Sequence, residues 1–214
     1  MCSSLGLIEV NLLLVMPFRR MSLRRKRGIS NLKFLGIGKA FAEQYLARAN
    51  HTVVATVRDT SSASAKALFA LPKATSSKLV LVKIEATSVP DALGAVKELQ
   101  AQDINHLDIV IANAAVAGQQ GAMGTIDPNT LADVYMVNAV GPAILFLALK
   151  PLLDNAAAPK WMSMSTGLAT LQELEKYAMF AGFPYGASKV ALNYFTKSIH
   201  VENPNIIAFA ISPG

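Results

Sequence analysis

The chain has 214 residues, 52% apolar and 16% charged, a balance that suits one domain with a full core and excludes a disordered chain. Its net charge of +6 belongs to one end: residues 1–35 hold seven basic residues and one acid, and the rest carries 13 of each sign, so no nucleic-acid or membrane partner is expected. A single cysteine, Cys2, excludes an internal disulfide framework and fits a reducing, cytoplasmic setting, while His51, His106 and His200 stand too far apart to suggest a metal site.

Residues 5–18 are apolar apart from Glu9 and Asn11, and the basic run 19–27 follows. The stretch is shorter than the roughly 20 residues of a spanning helix. Its charge comes after the apolar part, the reverse of a secretory signal, while the arginine-rich, acid-poor composition also suits a mitochondrial presequence of poor amphipathic period. Residues 1–35 are therefore read as an atypical basic head, either a disordered tail or, through residues 8–16, a substitute strand. Residues 36–214 form the domain.

From Gly36 the pattern is regular. Residues 37–49 read as a helix with Phe41, Tyr45 and Leu46 on its apolar side. The β-branched run 52–57 reads as a buried strand. A helix over 62–71 is stopped by Pro72. A strand at 78–84, a helix at 89–102 and a strand at 107–112 follow. A long helix at 128–153, a strand at 160–165, a helix at 182–201 and a strand at 205–211 complete the chain. Strands alternating with helices of ten or more residues predict βαβ units, and hence a Rossmann-like, doubly wound α/β fold with a parallel sheet. The uncharged run 134–149 contains Asn138 and Pro142 and reads as a helix buried on two sides.

Several short motifs carry chemistry. Gly36-Ile37-Gly38 opens the first helix, where glycines let a pyrophosphate approach backbone amides and the positive end of the helix dipole. Arg58-Asp59 ends the second strand of the pattern, the place where an arginine pairs with a 2′-phosphate, so NADP (NADPH) is favoured over NAD. Asn113-Ala114-Ala115 follows a strand at its carboxyl end, where ligands bind in open α/β sheets. Pro142 cannot donate to the carbonyl of Asn138, which leaves that oxygen free for a water. Tyr185 and Lys189 lie one helical turn apart in Tyr185-Gly186-Ala187-Ser188-Lys189. An ammonium beside a phenol lowers its pKa, which suits it to general acid–base work.

Taken in order, Gly36-Ile37-Gly38, Asn113-Ala114-Ala115, Asn138, Ser165-Thr166, Tyr185 to Lys189 and Ser212-Pro213-Gly214 resemble the short-chain dehydrogenase/reductase family, and several stretches are similar to its polyketide ketoreductases. The resemblance implies a catalytic set of Asn138, Ser165, Thr166, Tyr185 and Lys189. Tyr185 would give a proton to a ketone oxygen, Lys189 would lower the phenol pKa and hold ribose hydroxyls, Asn138 would place a water, and Ser165 or Thr166 would bond the carbonyl. It implies cofactor contacts at Gly36, Ile37, Gly38, Arg58, Asn113, Ala114, Ala115, Tyr185, Lys189, Pro213 and Gly214, with Glu85 and Ala86 beside the adenine and no metal. Asn31 and Leu32 depart from the family's Thr-Gly turn, and because the family continues past the position of Gly214 through a substrate-covering loop, a helix and an edge strand, the resemblance implies an incomplete domain, truncated at its carboxyl end. Two functions stay open: an NADPH-dependent reductase of a small-molecule ketone, of aromatic or polyketide-like type, and a catalytically silent fold that acts as a binding module. A homo-oligomer through the two long helices is a further expectation.

Overall fold

Six strands, all parallel, form one sheet in the order β3-β2-β1-β4-β5-β6. They are β1 (Val10–Val15), β2 (His51–Val57), β3 (Lys78–Lys83), β4 (Ile109–Ala112), β5 (Lys160–Met164) and β6 (Ile207–Ile211). The computed structural model describes residues 10–15, 36–177, 179 and 182–213. The basic run 19–27, the Asn31-Leu32 turn and Gly214 lie outside the described residues.

Of the two readings open for the head, residues 10–15 take the strand. β1 is the central strand, paired from Val10↔His51 to Val15↔Thr56 on one side and from Leu12↔Ile109 to Val15↔Ala112 on the other. A short apolar stretch ahead of residue 36 thus gains its place in the sheet from backbone pairing on both sides. Asn11 is tied in by its N–H, which donates to Asp108 (2.8 Å), and by its carbonyl, which accepts from the Asp108 N–H (2.9 Å).

Helices cover both faces, as a sheet of buried parallel strands requires. Helix α1 (Ile37–Leu46) and α2 (Ala63–Phe69) bury Ala42, Leu46, Ala65 and Leu68 against Val53 and Ala55 of β2. Helix α3 (Val89–Gln100) and, later in the chain, α5 (Gly141–Asp154) bury Leu99, Leu145, Leu149 and Leu152 on the other face, with Trp161 edge-on to Phe146 at 5.4 Å. Local chemistry starts the helices: Ser62 accepts from the Ala65 N–H (3.2 Å), Ser88 from Asp91 (3.1 Å) and Asp127 from Asn129 (2.9 Å), each a side-chain N-cap.

The expected helix at 128–153 is broken into α4 (Pro128–Tyr135), a π turn (Met136–Val140) and α5. Pro142 has no N–H to give, and the Gly141 N–H reaches back five residues to the Met136 carbonyl, so the bonding widens by one residue here. Taken as one run, Pro128–Asp154 is long and apolar enough to cross a membrane, but 56% of its apolar window is buried inside this fold. Two helices complete the order: the short α6 (Leu174–Tyr177), absent from the sequence reading, and the 20-residue α7 (Phe183–Glu202).

Candidate active site

All six strands being parallel, every carboxyl end opens on the same edge, and the strand order turns back between β1 and β4, the crevice where ligands enter such sheets. The predicted residues collect there. Gly36 caps α1 without a side-chain bond, leaving first-turn amides directed outward. Arg58-Asp59 follow β2, Glu85-Ala86 follow β3, Asn113-Ala114-Ala115 follow β4, Ser165-Thr166 follow β5, and Pro213 follows β6.

The catalytic candidates sit where α7 packs against β5, the π turn and the segment that follows β5. Lys189 is 1% exposed, and its ammonium donates to the Met164 carbonyl at 2.7 Å. It stands 5.6 Å from the Tyr185 ring centroid. Burial lowers the Lys189 pKa to about 8. Burial also pushes the Tyr185 phenol up, by desolvating its charged form.

Asn138 is fully buried in the π turn. Its Oδ1 accepts from the Val116 N–H (2.8 Å), and its Nδ2 donates to the Val116 carbonyl (2.8 Å) and to Ser188 Oγ (3.0 Å). Its side-chain amide is thus engaged in holding the loop after β4 against α7, and only its backbone is left for the expected water. Ser165 and Thr166 divide their roles. The Ser165 hydroxyl donates to Asn193 Oδ1 at 2.7 Å and latches β5 to α7. Thr166 Oγ1 accepts from the Leu168 N–H (3.3 Å), which leaves its own proton to donate elsewhere. Gly186 is required by packing: a Cβ there would stand 2.9 Å from the Leu168 carbonyl oxygen.

The residues fit a dinucleotide. The Asn113 Nδ2 is buried at the carboxyl end of β4 without a hydrogen-bond partner, a donor that a bound group would satisfy. Beside it an apolar hollow of about 350 Å³, counting its open mouth, is lined by Ile84, Ala86, Ala112, Ala114, Gly141 and Leu145. A Cβ on Gly141 would come within 2.9 Å of the Ala86 carbonyl and crowd that hollow. The Glu85 carboxylate accepts from the Ala86 N–H (3.1 Å), and Asp91 accepts from the Glu85 N–H (3.0 Å), so this turn is built locally. Arg58 is exposed, while Asp59 accepts from the Ser61 N–H and hydroxyl at 2.8 and 2.6 Å. Among the described residues no group of three His, Cys, Asp or Glu side chains could hold a metal ion. Ser188, Asn193 and Gly141 were not singled out from the sequence. Ser188 lies inside the quoted Tyr-to-Lys motif and Asn193 one turn beyond it, so helical spacing was the available signal.

Comparison with known proteins shows the family and the fold. Residues 34–214 match the short chain dehydrogenase family. The short-chain dehydrogenase srdF of Neurospora crassa is 39% identical over 84% of this chain and 71% of its own. The norsolorinic acid ketoreductase of Dothistroma septosporum is 38% identical over 84% of this chain and 68% of its own. In fold, the chain superposes on an NADPH-bound carbonyl reductase from chicken fatty liver with a TM-score of 0.78, at 23% identity, over 99% of this chain and 78% of that one. The chain belongs to the short-chain dehydrogenase/reductase family of NAD(P)-dependent oxidoreductases.

Proposed function

We propose that the protein uses NADPH to reduce a ketone to an alcohol on an aromatic, polyketide-like substrate. The observation that carries the reading is the buried Lys189 ammonium 5.6 Å from the Tyr185 ring near the start of α7, beside a phenol that holds its proton at neutral pH. A general acid must begin protonated. A bound nicotinamide would supply the hydride. Tyr185 gives its proton to the carbonyl oxygen, and the Thr166 hydroxyl donates a hydrogen bond to the same oxygen. Lys189, close over the ring, is placed to hold ribose hydroxyls and to stabilise the phenolate left behind. The backbone of Asn138 offers a carbonyl to a relay water.

The choice of NADPH rests on Arg58 at the end of β2. Asp59, the acid that would otherwise bond a free 2′-hydroxyl, is occupied by Ser61. The substrate class rests on similarity to the Dothistroma relative, a norsolorinic acid ketoreductase. A second copy packs against the two long helical runs, where Leu147 is 72% exposed and Tyr194 and Val201 lie seven apart on α7. With Cys2 as the single cysteine we place the protein in the cytoplasm. The test is loss of NADPH absorbance on adding an aromatic ketone to the purified chain. Tight NADPH binding with ketone-dependent oxidation is the expected result. Neither binding nor oxidation would favour the silent binding module.

A further inference from the structure

The N-cap of α7, Gly182, makes no side-chain bond, and Tyr185 sits three residues in. The first N–H groups of a helix have no intrahelical acceptor, so its first turn frays unless neighbouring elements hold it. A buried side chain ties this turn to the π turn. Ser188, 1% exposed, donates from Oγ to the Tyr185 carbonyl at 2.7 Å and accepts from Asn138 Nδ2 at 3.0 Å. Asn138 in turn is bonded twice to Val116. A continuous polar path therefore runs from the loop after β4, through the π turn, to the backbone of Tyr185.

We infer that Ser188 is a positioning residue that fixes the Tyr185 phenol by anchoring its peptide to Asn138. Ser188 acts at the backbone and does not touch the reacting atoms. On the opposite side Gly186 lets the Leu168 carbonyl approach, so the first turn is clamped from both sides, with only the Ser188 side polar and removable by a single atom. The catalytic arm of the test rests on the proposed reductase reading, and a second arm does not.

The experiment compares the natural chain with Ser188→Ala, alone and in an Asn138→Ala background. By hydrogen–deuterium exchange, the peptide spanning 183–190 should exchange about tenfold faster in Ser188→Ala, with the β2 peptide unchanged. In turnover, kcat should fall about tenfold to a hundredfold, the cost of a misplaced catalytic group, while NADPH affinity stays within about twofold. In the Asn138→Ala background, Ser188→Ala should cost less than about twofold more, because both changes cut one path. Unchanged exchange over 183–190, an unchanged kcat, or a full independent loss beside Asn138→Ala would each overturn the inference. If the natural chain shows no turnover, the reductase reading falls and the exchange arm alone decides Ser188. Should Ser188→Ala fail to fold, Ser188→Cys, similar in size and poor at hydrogen bonding, is read in the same assays.

Discussion

The two halves of the sheet edge are built differently. Around Tyr185, polar groups bond across elements: Asn138 to Val116 and Ser188, Ser165 to Asn193, Lys189 to Met164. Around the ends of β2 and β3, they bond within their own turns: Asp59 to Ser61, Glu85 to Ala86, Ser62 to Ala65. Cross-element bonds hold a side chain against displacement because several packed units must move together. Local turns present groups to a ligand and yield at little cost. The proposed catalytic half is thus tied together across elements, and the proposed adenosine half is held mostly by local bonds. Changes in the first half should therefore be large and coupled, and changes in the second small and separable.

The largest effect should come from Tyr185→Phe. The ring stays and only the proton donor goes, so kcat should drop about 100-fold to 10,000-fold with an unchanged melting curve. Turnover kept within about threefold, far short of that range, would remove Tyr185 from the mechanism.

Lys189 comes next and is read through pH. Burial takes its pKa from the ordinary 10.5 to about 8, so below pH 8 both folded and unfolded states carry the charge and the folded state bears the desolvation. Stability should therefore rise as pH goes from 8 to 10.5, by about 3 kcal/mol. Lys189→Met should raise Tm at pH 7, by roughly 6–10 °C, and flatten that slope while abolishing activity. A natural chain whose stability is level across pH 8–10.5 would contradict the buried-cation geometry.

Gly186→Ala probes the other clamp on the first turn of α7. Its Cβ would meet the Leu168 carbonyl at 2.9 Å, backbone against backbone, so a cost of about 1–3 kcal/mol is expected. Denaturant melts measure it.

On the adenosine side, Arg58→Ala should weaken NADPH by several-fold to about a hundredfold, the range of one charge-assisted bond, and leave NADH unchanged. Equal losses for both cofactors in a titration would make Arg58 structural. The smallest effect belongs to Ser62→Ala, which removes the cap of α2 and should cost about 1 kcal/mol without touching turnover.

Much of the fold could be read from the chain. The β-branched run of β2, the Ser, Asp and Pro residues at helix starts, and strands alternating with helices follow from local propensity and from what a doubly buried strand must contain. The same holds for Tyr185 and Lys189, whose spacing on one helix face is a local property. β1 was harder, since six residues beside a basic run carry little signal until β2 and β4 pair with them.

Only the tertiary structure decided how the site's groups are wired. That Asn138 faces Val116 and Ser188 and that Ser165 rather than Thr166 is latched by Asn193 depend on contacts between residues 22 to 50 positions apart. Sequence spacing encodes which residues share a helix face. It does not encode which carbonyl captures a buried ammonium, because that choice is made by packing.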